Sequence, residues 1–96
     1  MKSLREDIEN SLKVLPKKPG IYKFIDANDA IIYIGKAKNL KNRVQSYFSG
    51  KFEHFKTKML VKSISKIETI VVQHEADALI LENNLIKSHQ PKYNVL

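Results

Sequence analysis

Hydrophobic residues are most concentrated in two short runs in the first half of the chain, residues 20–25 and 31–35. Both runs are rich in β-branched and aromatic residues, a composition that favours β-strands. Residues 26–29, which separate them, have the small and polar side chains typical of a chain reversal. The pattern therefore predicts a β-hairpin in which each strand carries one tyrosine and one glycine.

The register of this hairpin decides which side chains share a face of the sheet. With a two-residue turn at residues 28 and 29, Phe24 lies opposite Tyr33 and Tyr22 lies opposite Gly35. This register places the two tyrosines on one face as diagonal neighbours. A loop with an odd number of residues is expected to shift the register by one and to send the tyrosines to opposite faces.

Apolar residues at helical spacing predict four helices in the rest of the chain. The expected helices begin at Ser3, Asn39, Glu53 and Glu75, and they end before Pro16, at Phe48, at Ser65 and at His89, respectively. A capping box of Ser3 and Glu6 starts the first helix, and Asn39 is the expected N-cap of the second. On the third helix, Phe55 and Met59 are expected along one side.

A third strand is expected at residues 67–72, a run rich in β-branched residues. The order helix, strand, strand, helix, helix, strand, helix then predicts an α/β (α+β) fold with a small mixed sheet covered by helices. The chain has 96 residues, of which 43% are hydrophobic, and this suffices for one modest core. We therefore expect residues 1–96 to form a single domain.

The charge balance of the chain is strongly basic. Its 17 lysines and arginines outnumber 10 aspartates and glutamates, which gives a net charge of +7 and an isoelectric point of about 9.7. This balance indicates a polyanionic partner, above all nucleic acid. No apolar run reaches transmembrane length and the charged start of the chain lacks a signal-peptide core, so we expect a cytoplasmic protein with no membrane partner.

Most of the excess positive charge lies between residues 36 and 62. Against Glu53 alone, this segment contains eight basic residues: Lys36, Lys38, Lys41, Arg43, Lys51, Lys56, Lys58 and Lys62. One interpretation is a solvated, lysine-rich surface. Aromatic residues are interleaved with the basic ones and the segment directly follows the tyrosine hairpin, so contacts with DNA phosphates are favoured.

Two charged residues lie at unusual positions on the predicted helices. On a helical wheel, Glu82 lies in the middle of the apolar arc of the last helix, where a carboxylate is costly unless it is paired, protonated or bound to a metal. An ion pair and a metal-ligand role are equally supported. Arg43 lies beside the apolar stripe of the second helix, where it either covers apolar surface or clamps a phosphate with its planar guanidinium.

The chemistry of any metal site is limited by the residue types present. The chain has no cysteine and only three scattered histidines. Disulfides and thiolate-bound zinc are therefore excluded, and a metal must be bound mainly through oxygen atoms. One carboxylate, several waters and a substrate phosphate are a ligand set that suits a single magnesium ion.

Two tripeptides, Gly20-Ile21-Tyr22 and Tyr33-Ile34-Gly35, spell the name of the GIY-YIG nuclease family. The chain resembles this family further in the segments LPKKPGIYKF, IIYIGKAKNLKNRVQSYF and EADALILENNLIKSHQPKYNVL. These segments look like the amino-terminal domains of the UvrC branch of the family. The resemblance covers nearly the whole chain, and other branches generally lack the ENNLIK and KYN segments.

The resemblance implies a three-stranded antiparallel sheet flanked by helices, with a shallow active site on the face that carries the tyrosines. It implies a DNA endonuclease that uses one divalent cation, Mg or Mn, to make the 3′ incision near a lesion in bacterial nucleotide excision repair. The substrate would be damaged double-stranded DNA. Regions beyond Leu96 would bind the partner UvrB, and this chain would be the monomeric, excised amino-terminal domain of a longer protein.

The resemblance also assigns roles to individual residues. It implies that the catalytic residues are Tyr22, Tyr33, Lys36, Arg43, Tyr47 and Asn94, that Glu82 binds the metal, and that Gly20 and Gly35 are the motif glycines. The lysines expected to contact DNA are Lys38, Lys41, Lys51, Lys56 and Lys58. Asp29 replaces a turn glycine of many relatives, and aspartate tolerates the left-handed conformation required there.

The expected mechanism begins with the removal of a proton from water by Tyr22 or Tyr33. Positive charge from Lys36, Arg43 and the metal would favour the phenolate that this step requires. A tyrosine that attacks phosphorus directly is the alternative. Two other functions compete with the repair nuclease, namely a DNA-binding module without catalysis and a GIY-YIG nuclease outside excision repair.

Overall fold

The computed structural model of the protein describes residues 4–95. Over these residues the elements are α1 (Leu4–Lys13), β1 (Gly20–Ile25), β2 (Ile31–Ala37), α2 (Leu40–Tyr47), α3 (Phe55–Ser63), β3 (Lys66–Val71), α4 (Glu75–His89) and α5 (Lys92–Val95). All seven predicted elements are present, whereas the short α5 was not predicted. The capping box predicted at Ser3 lies outside the described residues. None of the described helices is long and apolar enough to cross a membrane.

The three strands form one sheet in the order β2-β1-β3. Both neighbouring pairs are antiparallel, so the antiparallel sheet is confirmed and the mixed sheet inferred from the order of elements is wrong. The reason is that β3 pairs with β1 rather than with β2, which makes each pair of neighbours run in opposite directions. The central strand carries side chains with no exposed surface, including Ile21 and Phe24.

The hairpin turn differs from the two-residue turn that was predicted. The amide of Asp26 donates to the carbonyl of Ala30 at 2.9 Å, which leaves a three-residue loop at residues 27–29. The Asp26 carboxylate accepts hydrogen bonds from the amides of Asn28 and Ala30, and these bonds fix the loop. Asp29 has a φ of 65°, the left-handed conformation that aspartate tolerates.

A β-bulge restores the register that an odd-length loop would otherwise shift. Between the loop and the pair formed by Phe24 and Tyr33, β2 contains one extra residue, Ile32. Beyond the bulge, Tyr22 lies opposite Gly35 as predicted. The expectation that an odd-length loop separates the tyrosines is therefore wrong, because one extra residue in the loop is offset by one extra residue in the strand.

The sheet separates two groups of buried side chains. One face, which we call the tyrosine face, carries Tyr22, Phe24 and Tyr33 and packs against α1, α2 and α3. The other face carries Ile21 and Ile34 and packs against α4. On the tyrosine face the buried residues contributed by the helices and the segments that follow them are Ile8, Leu40, Val44, Leu60, Val61, Ile64 and Tyr93.

Of the helices on the tyrosine face, α2 begins as predicted, whereas α3 packs through other residues than those expected along its side. Asn39 caps α2 as predicted, because its side-chain oxygen accepts a hydrogen bond at 3.1 Å from a backbone amide of the first turn. The side of α3 that carries Phe55 and Met59 faces solvent, with 75% and 38% of these side chains exposed. α3 packs instead through Leu60 and Val61.

Candidate active site

Three tyrosine side chains meet on the tyrosine face, two from the hairpin and one from α2. The ring centroids of Tyr22, Tyr33 and Tyr47 lie between 5.8 and 6.2 Å apart. The hydroxyls of Tyr22 and Tyr47 are hydrogen-bonded at 2.9 Å. Phe24 supports the cluster, with its ring 5.3 Å from that of Tyr22 and 5.0 Å from that of Tyr47. Three phenol groups are thus held together by the packing of the hairpin against α2.

The two glycines of the tripeptides allow this close packing. A Cβ atom at Gly35 would overlap the Tyr22 side chain, with the ring atom Cε2 at 2.8 Å. A Cβ atom at Gly20 would overlap the carbonyl of Ile70 and would lie 2.9 Å from Leu40. Gly35 therefore makes room for the tyrosine cluster, and Gly20 makes room for the contact between β1 and its neighbours.

Arg43 extends the cluster toward solvent. Its guanidinium donates a hydrogen bond of 3.3 Å to the Tyr47 hydroxyl one turn later on α2, and its Cζ atom lies 5.0 Å from the centroid of the Tyr47 ring. The side chain is exposed, and among the described residues it forms no ion pair. Its other N–H donors can therefore bind an anion that approaches the cluster, which suits phosphate.

The three phenols are held in the neutral form. Burial raises the pKa of Tyr22, and burial together with the neighbouring phenols raises the pKa values of Tyr33 and Tyr47 to about 12. The charge of Arg43 lowers each of these pKa values, but burial outweighs it. Positive charge from the protein side chains is therefore not sufficient to favour a phenolate.

Glu82, on a helix that packs on the other face of the sheet, has a small effect on Tyr33. Burial is the main cause of the raised pKa of Tyr33, and the negative charge of Glu82 adds to it. Glu82 is half-buried, as are Leu81, Leu85 and Ile86 around it, so the predicted arc packs against the sheet but only Ala78 of α4 is fully buried. Among residues 4–95 Glu82 forms no ion pair, and the ion-pair interpretation is not supported. The same residues contain no group of three or more metal-binding side chains.

Asn94 supports the site from the edge of the sheet. Its side-chain oxygen accepts a hydrogen bond of 2.8 Å from the amide of Ile34, and its side-chain nitrogen donates one of 2.9 Å to the carbonyl of the same residue. Asn94 thus forms with the backbone of Ile34 the two hydrogen bonds that a neighbouring strand would form. Ile34 lies between Tyr33 and Gly35 on β2. Its observed contacts hold the strand that carries the tyrosine.

The structure does not bring Lys36 to the tyrosine cluster. Lys36 is exposed and lines a separate groove of about 400 Å³ with Lys38 and the first turn of α4. Ile34 and Lys36 alternate with Tyr33 and Gly35 along β2, which places Lys36 on the side of the sheet that faces α4. A direct role of Lys36 at the phenols stays a prediction.

The other predicted DNA-binding lysines are distributed around α2 and α3. Lys51 and Lys56 line two clefts beside the tyrosines. Lys58 lines a groove on the side of α3 that faces α1. Lys41 donates a hydrogen bond of 3.1 Å to the carbonyl of Lys13, so its observed contact joins α2 to α1.

Two clefts of about 350 and 260 Å³ open beside the phenols, and both are lined by Tyr33, Tyr47, His54 and Thr57. The interpretation of the sequence did not include His54 or Thr57. His54 is the N-cap residue of α3 and Thr57 lies on its first turn. Only their position in the sequence could have indicated these residues, because the start of a helix within a basic segment provides polar groups for anion binding.

The sequence and the fold resemble those of known proteins. A family model described as the UvrC-like GIY-YIG domain matches residues 18–95. The UvrABC system protein C of Bacteroides fragilis is 55% identical over 91 residues, which are 95% of this chain and 15% of that protein. The protein of the same name from Christiangramia forsetii is 53% identical over 89 residues, which are 93% of this chain and 15% of the relative. The chain therefore spans about 15% of the length of these relatives.

Solved structures agree with this assignment. The GIY-YIG N-terminal endonuclease domain of UvrC from Thermotoga maritima, in a point mutant bound to its catalytic divalent cation, superposes with a TM-score of 0.83 at 43% identity and covers 100% of both chains. The same domain bound to magnesium has a TM-score of 0.81 at 43% identity, over 97% of this chain and 98% of that one. The resemblance inferred from the sequence is confirmed, as is the three-stranded antiparallel sheet flanked by helices.

Proposed function

The chain belongs to the family of UvrC-like GIY-YIG domains, and on this premise we propose that it is a DNA endonuclease domain that depends on a divalent cation. We assign it the 3′ incision near a lesion in nucleotide excision repair, with damaged double-stranded DNA as substrate. In this proposal residues 1–96 form a single nuclease domain, and the binding of UvrB belongs to other regions of a longer protein.

The observation that carries the proposal is the cluster of three phenols with Arg43 on the tyrosine face, to which Glu82 adds a negative charge near Tyr33. Tyr22, Tyr33 and Tyr47 provide phenols, Arg43 provides a fixed positive charge, and Glu82 provides a carboxylate whose charge acts on Tyr33. Phosphodiester hydrolysis requires a proton acceptor for water and positive charge at the phosphate. A module that only bound DNA would have no need of the phenols or of the carboxylate.

Glu82 has the properties of a ligand for one divalent cation. Its carboxylate is half-buried and forms no ion pair with the residues that the structure describes. A single carboxylate completed by waters and substrate oxygens is a donor set that Mg or Mn accepts. When bound, such an ion supplies positive charge that lowers the pKa of nearby phenols and stabilises negative charge on the phosphate.

The geometry favours Tyr33 over Tyr22 as the group that accepts the proton of the attacking water. Tyr22 is 1% exposed and its hydroxyl is hydrogen-bonded to Tyr47, whereas Tyr33 is half-buried and lines both clefts. In this assignment Arg43 binds the phosphate, and Tyr47 positions Arg43 through their hydrogen bond. Tyr33 can accept this proton only as the phenolate, so the assignment requires the bound cation and Arg43 to lower its raised pKa. The nucleophile in this assignment is water, and no covalent adduct is expected.

The proposal is tested by nicking of supercoiled and of damaged duplex DNA, with and without Mg or Mn and with and without the partner repair proteins. We expect nicking only with the metal, and we expect Glu82→Gln to abolish it while DNA binding persists. Asp77→Asn is the matched control, because Asp77 is an exposed carboxylate of the same helix. Full nicking by Glu82→Gln would overturn the metal role, and DNA binding without nicking under every condition would establish a binding module instead.

A further inference from the structure

One aromatic side chain is exposed in a protein that otherwise covers its rings. The chain contains four tyrosines and four phenylalanines. Seven of these eight are buried or half-buried, whereas Phe55 is 75% exposed. Exposing a large apolar ring is unfavourable in water, and the ring can serve as a stacking surface when a groove that can bind a polyanion lies beside it. The Phe55 ring is not packed in the core of the described residues, so it is available for contact with a partner.

Phe55 lies at the start of α3, immediately beside the candidate active site. Its neighbour His54 lines both clefts next to Tyr33, and so does Thr57 on the same helical turn. Residues two positions apart on this first turn point in different directions, so Phe55 projects outward while Thr57 faces the phenols. A polymer that occupied the clefts and continued over α3 would meet the Phe55 ring next.

The surroundings of Phe55 are basic on both sides. Lys56 lines the smaller cleft on the side of the tyrosines, whereas Lys58 and Lys62 line the groove on the side of α1. Met59, 38% exposed and one turn after Phe55, extends the apolar strip between these lysines. A narrow apolar strip with Lys56 on one side and Lys58 and Lys62 on the other is complementary to a nucleic acid, which offers both bases to stack and phosphates to bind. A protein partner would require a broader apolar surface.

We propose that Phe55 stacks on a nucleobase of the DNA next to the bond that is cut, while Lys56 and Lys58 contact the flanking phosphates. This inference rests on the proposed nuclease function and adds to it a base-contacting residue. Stacking requires the face of a base to be accessible, and in intact duplex DNA this face is covered by its neighbours. The domain should therefore prefer DNA whose bases are unpaired or unstacked near the incision.

The absence of tryptophan from the chain allows a direct test. Phe55→Trp makes this position the only tryptophan of the 96-residue chain, so its emission can be excited apart from that of the tyrosines. Binding is measured with EDTA present so that no cleavage occurs. We expect single-stranded DNA and a duplex with an unpaired bulge to quench the tryptophan emission, and an intact duplex to quench it less. Ile80→Trp is the matched control, because Ile80 is 62% exposed on α4 and lies outside the clefts; its emission should not change.

Affinity measurements with Phe55→Leu test the ring itself. This variant keeps an apolar side chain and is expected to bind single-stranded DNA about 5- to 100-fold more weakly than the parent, the range for loss of one stacked base. Thermal denaturation should be unchanged, since the side chain is exposed. The proposal would be overturned if Phe55→Leu bound single-stranded DNA as tightly as the parent. It would also be overturned if DNA left the emission of the Phe55→Trp variant unchanged while a protein partner altered that emission. Failure of the nuclease proposal is distinct, because it appears as absence of metal-dependent nicking in the parent chain.

Discussion

Replacing Gly35 with alanine perturbs the tyrosine cluster without removing any of its functional groups. The new Cβ atom would lie 2.8 Å from Cε2 of Tyr22 and closer still to Cζ and the hydroxyl oxygen. Carbon atoms in favourable contact lie about 3.5–4.0 Å apart, so the ring or the strand must move by roughly 1 Å. Tyr22 has little room to move, because it is 1% exposed and its ring lies 5.3 Å from that of Phe24.

The expected cost in stability is moderate, whereas the expected cost in activity is large. Overpacking of this kind costs about 1–3 kcal/mol, and loss of the hydrogen bond between Tyr22 and Tyr47 adds about 1 kcal/mol. A domain stabilised by about 5–15 kcal/mol tolerates this loss and still folds. A displacement of about 1 Å in a catalytic arrangement can slow a reaction roughly 100-fold. Metal-dependent nicking should therefore fall by about two orders of magnitude.

The measurement compares the nicking rate, thermal denaturation and the near-ultraviolet circular dichroism of the tyrosines in parent and variant. Gly50→Ala is the matched control, because Gly50 has a φ of 83° and a Cβ atom there would meet no atom within 4 Å. This control should lose about 1 kcal/mol through backbone strain and retain nicking. A Gly35→Ala variant that nicks at the parental rate with an unchanged tyrosine spectrum would refute the packing argument.

Two further measurements concern the charges of the site and the edge of the sheet. An alkaline titration followed by phenolate absorbance should show Tyr33 and Tyr47 ionising near pH 12. Because folding raises the pKa of these phenols, their contribution to the free energy of unfolding is fully present below about pH 10. This contribution is lost as the pH rises toward 12. Ionisation of every tyrosine near pH 10, about the value of a free phenol, would contradict this. Asn94→Ala removes both hydrogen bonds to Ile34 and should cost about 1–3 kcal/mol. Amide hydrogen exchange at Ile34 should accelerate, and an unchanged exchange rate would show that Asn94 does not hold the strand.

The elements of this fold were predictable where a local signal marks their ends. α4 has the predicted bounds because Gln90, in the left-handed conformation with a φ of 46°, and then Pro91 end it. α2 begins where Asn39 can cap it. Packing was less predictable, since α3 has apolar residues on two sides and only the tertiary structure shows that Phe55 is on the exposed one.

The hairpin shows how a correct pairing can follow from an incorrect turn. The pairing of Tyr22 with Gly35 was predicted from a two-residue turn, whereas the structure reaches it through a three-residue loop and a bulge at Ile32. A bulge has no clear signal in a run of isoleucines, because every residue of the run suits either face. The pairing of the two tyrosine strands was thus predictable from the sequence, and the backbone turn and bulge that produce it were not.

The order of the strands, which the sequence left open, places Tyr33 on an edge strand of the sheet. Glu82 belongs to α4, which packs on the face of the sheet opposite to the tyrosines. A side chain from that helix cannot pass through a sheet, but it can reach around an edge. β2, which carries Tyr33, is such an edge strand, and Asn94 pairs with it only at Ile34. The order β2-β1-β3 therefore leaves the strand of Tyr33 with a neighbouring strand on one side only.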